Sequence, residues 1–205
     1  MNILLPSAYL APIQYYSRLF QCGADTAYIE AHDNYAKQTY RNRCIIADAN
    51  GPLALTIPTE KTAEGKCLMR DIRISDHGNW RHQHWNAMVS AYRKSPFFDY
   101  YADDFAHFYE EHDGFLMDFN LRLHIVISEL IGLEKGVKII DNTCNASDFN
   151  DLRFIAEPKA LTDIANYTAQ PYYQVFAGRN GFIPNLSIVD LLFNMGPEGL
   201  IILRG

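Results

Sequence analysis

Lys37, Arg41 and Arg43 fall within seven residues in NYAKQTYRNRCII (residues 34–46), among tyrosines and amide side chains and with no acid between them. The chain as a whole carries a formal net charge of −6, so this local run of cations asks for a negative partner. Arginine presents a planar fork of donors that matches phosphate or carboxylate in bidentate fashion. If residues 37–46 are extended, alternation puts Lys37, Thr39, Arg41 and Arg43 on one face and Gln38, Tyr40, Asn42 and Cys44 on the other. That face is a candidate clamp for an anionic substrate, with Asn42 as a polar positioning group. It equally fits a solvated edge strand, where cations discourage edge-to-edge pairing. Both readings stand at this point.

A second candidate lies in NWRHQHWNAMVSAYRKS (residues 79–95). At a period of about 3.6 residues, Trp80, His84, Ala87, Met88 and Ala91 share one side, which Trp85, Val89 and Tyr92 widen. His82, Asn86, Ser90 and Arg93 face the other way. His84 is therefore the inward imidazole, able to act as acid or base near neutral pH, or to be a core histidine satisfied by one hydrogen bond. His82 and His84 diverge on a helix and cannot chelate one metal, so no metal site is expected. Tyr92 is the second catalytic candidate. Arg93 and Lys94 complement the C-terminal end of the helix dipole or extend the anion site.

Tyr9, just before the first helix, is placed where α/β folds bind anions through free amides, and could hydrogen-bond a sugar or phosphate. The substrate-binding set is thus Tyr9, Lys37, Arg41, Asn42 and Arg43. Asp190, flanked by apolar residues, is expected to be semi-buried and answered by Arg179 or a backbone amide. Asn120 and Arg122 read as exposed. No GxGxxG fingerprint, P-loop or GxSxG elbow occurs, and no cofactor is expected.

The elements that hold these residues follow from periodicity and breakers. Asn2 to Leu5 reads as a strand and the run from Pro12 as a helix capped near Gly23. TAYIEA (26–31) is a second strand, which completes a βαβ opening. Two β-prone runs spanning residues 44–57 form a hairpin turning at Asn50-Gly51. Residues 67–75 make another plausible strand. Three consecutive helices follow at 79–94, 97–110 and 113–132, separated by Ser95-Pro96 and Asp113-Gly114. Residues 136–140 return to strand, 186–193 to helix, and 200–203 to a terminal strand. The fold expected is one α/β domain over residues 1–205, with a mixed β-sheet that includes the 44–57 hairpin and a central run of three helices over 79–132.

The acidic balance argues against a nucleic-acid binder, and no run approaches the roughly 18 apolar residues of a membrane span. The N-terminus lacks a signal-peptide pattern, and four widely spaced cysteines suit a reducing compartment. A cytoplasmic protein is expected.

Ordered blocks along nearly the whole chain resemble the WbqC-like protein family, found among bacterial O-antigen gene clusters. They are SAYLAPIQYY, NYAKQTYRNRCII followed by NG and LTIPTEK, HWNAMVSAYRKSPFFDYY, DFN, and QVFAGRNGFIPNLSIVDLLFNMGP. Members commonly open with His-Gln-Pro where this chain has Leu4-Leu5-Pro6, so no role of that pair carries over. The resemblance implies a setting in surface-polysaccharide synthesis. The expected function is an enzyme, possible class transferase, acting on a sugar or nucleotide-sugar intermediate by acyl or aminoacyl transfer. The alternative is a non-catalytic ligand-binding or scaffold module of the same pathway. The partner in either case is an anionic small molecule such as a nucleotide sugar.

Overall fold

The computed structural model describes residues 2–22, 26–61, 67–112, 114–133, 136–158 and 167–205. The chain opens with β1 (Ile3–Leu5), α1 (Ile13–Gln21) and β2 (Ala27–Glu30), then the hairpin strands β3 (Arg43–Asp48) and β4 (Gly51–Thr56). The central helices are α2 (Trp80–Tyr92), α3 (Phe98–Glu110) and α4 (Leu116–Leu130). After them come β5 (Val137–Ile140), β6 (Asn150–Asp151), a single turn α5 (Ala177–Asn180), α6 (Ile188–Met195) and α7 (Gly199–Arg204). The α/β character, the hairpin and the three consecutive helices are as the sequence leads one to expect. The Gly23 cap and the Asp113 break lie outside the described residues.

β1 and β2 pair in parallel, with Ile3 opposite Ala27, and the sheet runs β5-β2-β1-β6 with every pairing parallel. Ile3, Leu4 and Leu5 are all buried, as a central parallel strand covered on both faces requires. The hairpin stands as a sheet of its own. Its register sets Cys44 opposite Leu55 and Ile46 opposite Leu53, which keeps Cys44, Ile46 and Leu55 buried. A slip of one residue would turn those side chains to solvent. With that register Asp48 faces Gly51, so the two loop residues are Ala49 and Asn50, one place earlier than Asn50-Gly51. Gly51 then opens β4 at φ 112, a conformation few other residues accept.

Three expectations fail, each for an identifiable reason. Residues 67–75 are not a strand but a 3-10 turn at Met69–Asp71 between isolated bridges. Their backbone bonds go to loops: Met69 N–H donates to Asp33 O, and Ile74 N–H to Gly114 O. Residues 200–203 lie within the helix α7. The apolar run is too short to separate strand from helix, and Ile201 is exposed while Leu203 is buried. Residues 37–42 are turns rather than strand. Gln38 takes φ 63, the Thr39 hydroxyl donates to Ala36 O and accepts from Arg41 N–H, and Asn42 N–H closes on Thr39 O. The Thr39 side chain thus bonds the neighbouring backbone in place of a strand ladder. Extended alternation does not apply there, and Lys37, Arg41 and Arg43 share no strand face.

Candidate functional site

Helix α2 presents the face read from its periodicity. Trp80, His84, Met88, Ala91 and Tyr92 are buried, whereas His82, Asn86, Ser90 and Arg93 are exposed. His84 is only 5% exposed. Its Nδ1 lies 2.9 Å from the Tyr9 hydroxyl, and that hydroxyl lies 2.8 Å from the Tyr109 hydroxyl of α3. Burial pushes the His84 pKa down to about 4, a hydrogen bond to the Thr56 backbone acting the other way. The imidazole is therefore neutral at pH 7. Its bond to the Thr56 carbonyl assigns the ring proton to Nε2 and leaves Nδ1 as acceptor. Tyr9 then donates to Nδ1, and Tyr109 must donate to Tyr9. The result is a hydrogen-bonded line, Tyr109 to Tyr9 to His84, along which a proton can pass if each hydroxyl turns.

Tyr92, eight residues further along α2, belongs to a separate network. Its hydroxyl accepts from Ala47 N–H at 3.1 Å and donates to Asp190 Oδ2 at 2.7 Å. Tyr172 donates to Asp190 Oδ1 at 2.6 Å, and Asn194 Nδ2 adds a bond at 3.3 Å. Asp190 sits in the first turn of α6 and is wholly buried. Burial pushes its pKa up to about 6, against the pull of the Tyr172, Tyr92 and Asn194 hydrogen bonds. Arg179 is not among its partners: two tyrosines and an amide answer this carboxylate, correcting the pairing expected from sequence.

The opening cations separate. Lys37 is exposed. Arg41 is 5% exposed; its Nη2 and Nε reach Asp33 Oδ2 at 2.7 and 3.2 Å, and its Nη1 reaches Glu157 Oε1 at 3.3 Å. Arg153 continues the ion network from Asp151 to Glu30, with Nη1 2.6 Å from Glu30 Oε2. This network occupies the carboxyl edge of the parallel sheet, the place where open α/β sheets leave a crevice for ligands. Arg43, half-buried on β3, donates from Nε to Thr56 Oγ1 at 3.0 Å. Asn42 is buried and donates to Ile57 O. Asn120 is buried too, donating to Ser7 Oγ and Arg41 O, which corrects its expected exposure. The first amides of α1 bind their own chain: Ile13 N–H donates to Leu186 O and Gln14 N–H to Asn185 Oδ1. No free amide cluster is left there for an anion.

Two concavities frame these networks. The larger, about 540 Å³, is lined by Tyr40 and Ile45, by Tyr167 to Ala169, and by Ile183 to Leu186, with Pro52 at its edge. Burial pushes Tyr40 and Tyr167 up to about 12, so both hydroxyls are protonated hydrogen-bonding groups at neutral pH. Arg43 shares the β3 face of Ile45 by alternation. The smaller, about 130 Å³, lies at the start of α2 between Asp76, Trp80, Arg81, His82, Tyr109 and His112. The structure joins Tyr9 to His84 directly and leaves Tyr92, Arg41, Arg43 and Lys37 apart from them.

Sequence reasoning passed over Tyr109, Arg81 and Tyr172. Tyr109 was legible as core, since Tyr101, Phe105, Phe108 and Tyr109 repeat at helical spacing and all are buried. Arg81, three residues before His84, stands on the flank of the same buried face. Nothing local marks Tyr172.

The WbqC-like protein family model matches residues 7–165 and 153–202 of the chain. The uncharacterized protein Rv1507c of Mycobacterium tuberculosis is 27% identical over 196 residues, covering 83% of this chain and 84% of its own length. No solved structure matches. Among the described residues no helix is long and apolar enough to cross a membrane. The chain belongs to the WbqC-like protein family.

Proposed function

We propose that this protein is a cytoplasmic enzyme of bacterial surface-polysaccharide synthesis, acting on a sugar or nucleotide-sugar intermediate held in the 540 Å³ cleft. The observation that carries the reading is the cleft itself. Its volume falls within the range of small-molecule sites, roughly 300–1,000 Å³, and its walls combine tyrosine rings and unionised hydroxyls with Thr168 and Asn185. Such a lining stacks on a sugar ring and exchanges hydrogen bonds with its hydroxyls.

In this reading Arg43 takes the phosphate at the rim, and Lys37 adds long-range attraction. Arg41 and Asn42 act by holding the turn that delivers Tyr40. Tyr92 and His84 are the acid–base candidates for acyl or aminoacyl transfer, with Tyr9 fixing the His84 tautomer. Tyr92 supports the wall of the cleft from behind, since Ala47 N–H on β3 donates to it. A second reading, a non-catalytic ligand-binding module, is favoured by one specific observation: His84, Tyr92 and Asp190 are buried and none lines the cleft.

Calorimetric titration with a panel of nucleotide sugars tests binding. Arg43→Ala and Tyr40→Phe are expected to weaken it at least tenfold and threefold, while the melting temperature holds. Mass spectrometry of the bound ligand, with candidate acyl donors, then separates the readings. A product that disappears in His84→Gln or Tyr92→Phe supports the enzyme. Tight binding without turnover in any combination supports the module, and no saturable binding to any member of the panel overturns both.

A further inference from the structure

Two arginines of this protein, Arg41 and Arg81, are buried and Arg153 is partly buried, and they differ in what meets the edge formed by Nε and Nη2. That edge is the side of the guanidinium that grips an oxyanion with two parallel N–H groups. In Arg41 it lies on Asp33, at 3.2 and 2.7 Å. In Arg153 it lies on Asp151, Nε at 3.0 Å from Oδ1 and Nη2 at 2.7 Å from Oδ2. In Arg81 only Nη1 is engaged, by Asp76 Oδ1, and both Nε and Nη2 are buried without a partner.

The Arg81 side chain is 7% exposed, against 23% for Arg153, so those donors are turned away from bulk solvent. Buried N–H groups are nearly always satisfied, and a charged one left unmatched is costly. The neighbouring Trp80 repeats the pattern: its indole Nε1 is also buried and unpartnered, and the Arg81 guanidinium lies 4.6 Å from its ring centre. Both residues line the 130 Å³ depression at the start of α2.

We infer that this depression is a binding site for a compact oxyanion, a phosphate or carboxylate group, gripped by the Nε and Nη2 edge of Arg81 with the Trp80 indole N–H as a further donor. Its volume fits a group of that size, since one water takes about 30 Å³ of liquid. His82 and His112 add donors at the walls. Asp76 is the opposing feature, a carboxylate bound to Arg81 Nη1 and 3.4 Å from His112 Nδ1. Its side chain is 65% exposed, so an entering anion displaces it toward solvent. Tyr109, the outer member of the line to His84, forms part of the same lining. The inference does not rest on the large cleft, with which the depression shares no lining residue.

The test is calorimetric titration of the full chain with inorganic phosphate and, separately, with acetate, at constant ionic strength. Saturable binding of at least one is expected, and the tighter of the two assigns the source as phosphate or carboxylate. Arg81→Lys, which keeps the charge and loses the fork, should weaken binding at least tenfold. Trp80→Phe should weaken it about threefold, and Asp76→Asn should tighten it by removing the competing carboxylate. The component of binding that Arg81→Lys weakens should persist in Arg43→Ala, which separates this site from the cleft. No saturable binding of either anion, or an Arg81→Lys protein that binds as the native one does, overturns the inference. If Arg81→Lys does not fold, unchanged affinity in both Trp80→Phe and Asp76→Asn overturns it instead.

Discussion

His84 and Asp190 are both ionisable groups sunk in the core and flanked by tyrosine hydroxyls, yet at pH 7 the first is neutral and the second ionised. Desolvation drives each toward its neutral form, His84 down to about 4 and Asp190 up to about 6. What differs is the polarity of the hydrogen bonds. Around Asp190 every contact is a donor, from Tyr92, Tyr172 and Asn194, so the carboxylate keeps its negative charge at pH 7 without a cation. Around His84 one nitrogen faces the Thr56 backbone and the other accepts from Tyr9. Protonating it would set two donors against each other until Tyr9 and Tyr109 turned. Burial moves both groups toward their neutral forms; the ordinary value each starts from, together with the hydrogen bonds it receives, leaves one ionised and the other neutral at pH 7.

The sharpest break of this contrast is Asp190→Ala. It leaves the Tyr92 and Tyr172 hydroxyls short of an acceptor in a dry site, while Asn194 keeps its bond to the residue-190 carbonyl, and should cost about 3–5 kcal/mol in urea denaturation. A loss below about 1 kcal/mol would mean that the donors find other partners and that the carboxylate is not the centre of its network.

The next effect is on pH dependence, and the signs oppose. His84 titrates at about 4 in the fold against an ordinary 6.5. The unfolded chain therefore takes up a proton that the folded chain refuses, and stability is lost as pH falls through that window. His124, also driven by burial to about 4, adds to the same slope. Asp190 titrates at about 6 against an ordinary 3.8. Here the folded chain holds a proton that the unfolded chain releases, and stability is lost as pH rises from about 4 to 6. Each group contributes about 3 kcal/mol across its window. Asp190→Asn should thus steepen the acid loss between pH 6 and 4 by about that amount, and His84→Gln should flatten it. Parallel profiles for native protein and both variants, followed by denaturation at a series of pH values, would refute the assignment.

Smaller effects test the order of the tyrosine line. Tyr9→Phe removes its central hydroxyl and strands both His84 Nδ1 and the Tyr109 hydroxyl, for about 1–3 kcal/mol. Tyr109→Phe removes only the outer donor and should cost about 0.5–1.5 kcal/mol. NMR titration of the His84 ring should show the larger change in Tyr9→Phe. Equal costs and equal spectra would mean that the line has no direction.

Local rules carried much of this in the sequence. A turn of about 100° per residue put His84 inside and His82 outside, and the structure agrees because a helix fixes that relation before it packs on anything. Ser95-Pro96 separated two helices, and the β-prone runs around Asn50-Gly51 marked a hairpin. The turn moved by one residue because burial of Cys44, Ile46 and Leu55 chose the register. The three cations were legible as residue types only. Where the Thr39 hydroxyl bonds the backbone of Ala36 and Arg41, the strand period gives way to a turn.

The sequence by itself determined the α/β alternation, the amphipathic faces of the central helices and the candidacy of Tyr9 and His84, because each follows from neighbours within a few residues. Only the tertiary structure decided what those side chains meet. Tyr9 reaches His84 across 75 residues and Tyr109 across 100, Arg41 meets Glu157 across 116, and Tyr92 meets Asp190 across 98. Which distant donor finds which acceptor depends on how β1 and its sheet bring chain segments together. No local period encodes that, because the partner of a buried polar group is chosen by packing and by the cost of leaving it unpaired.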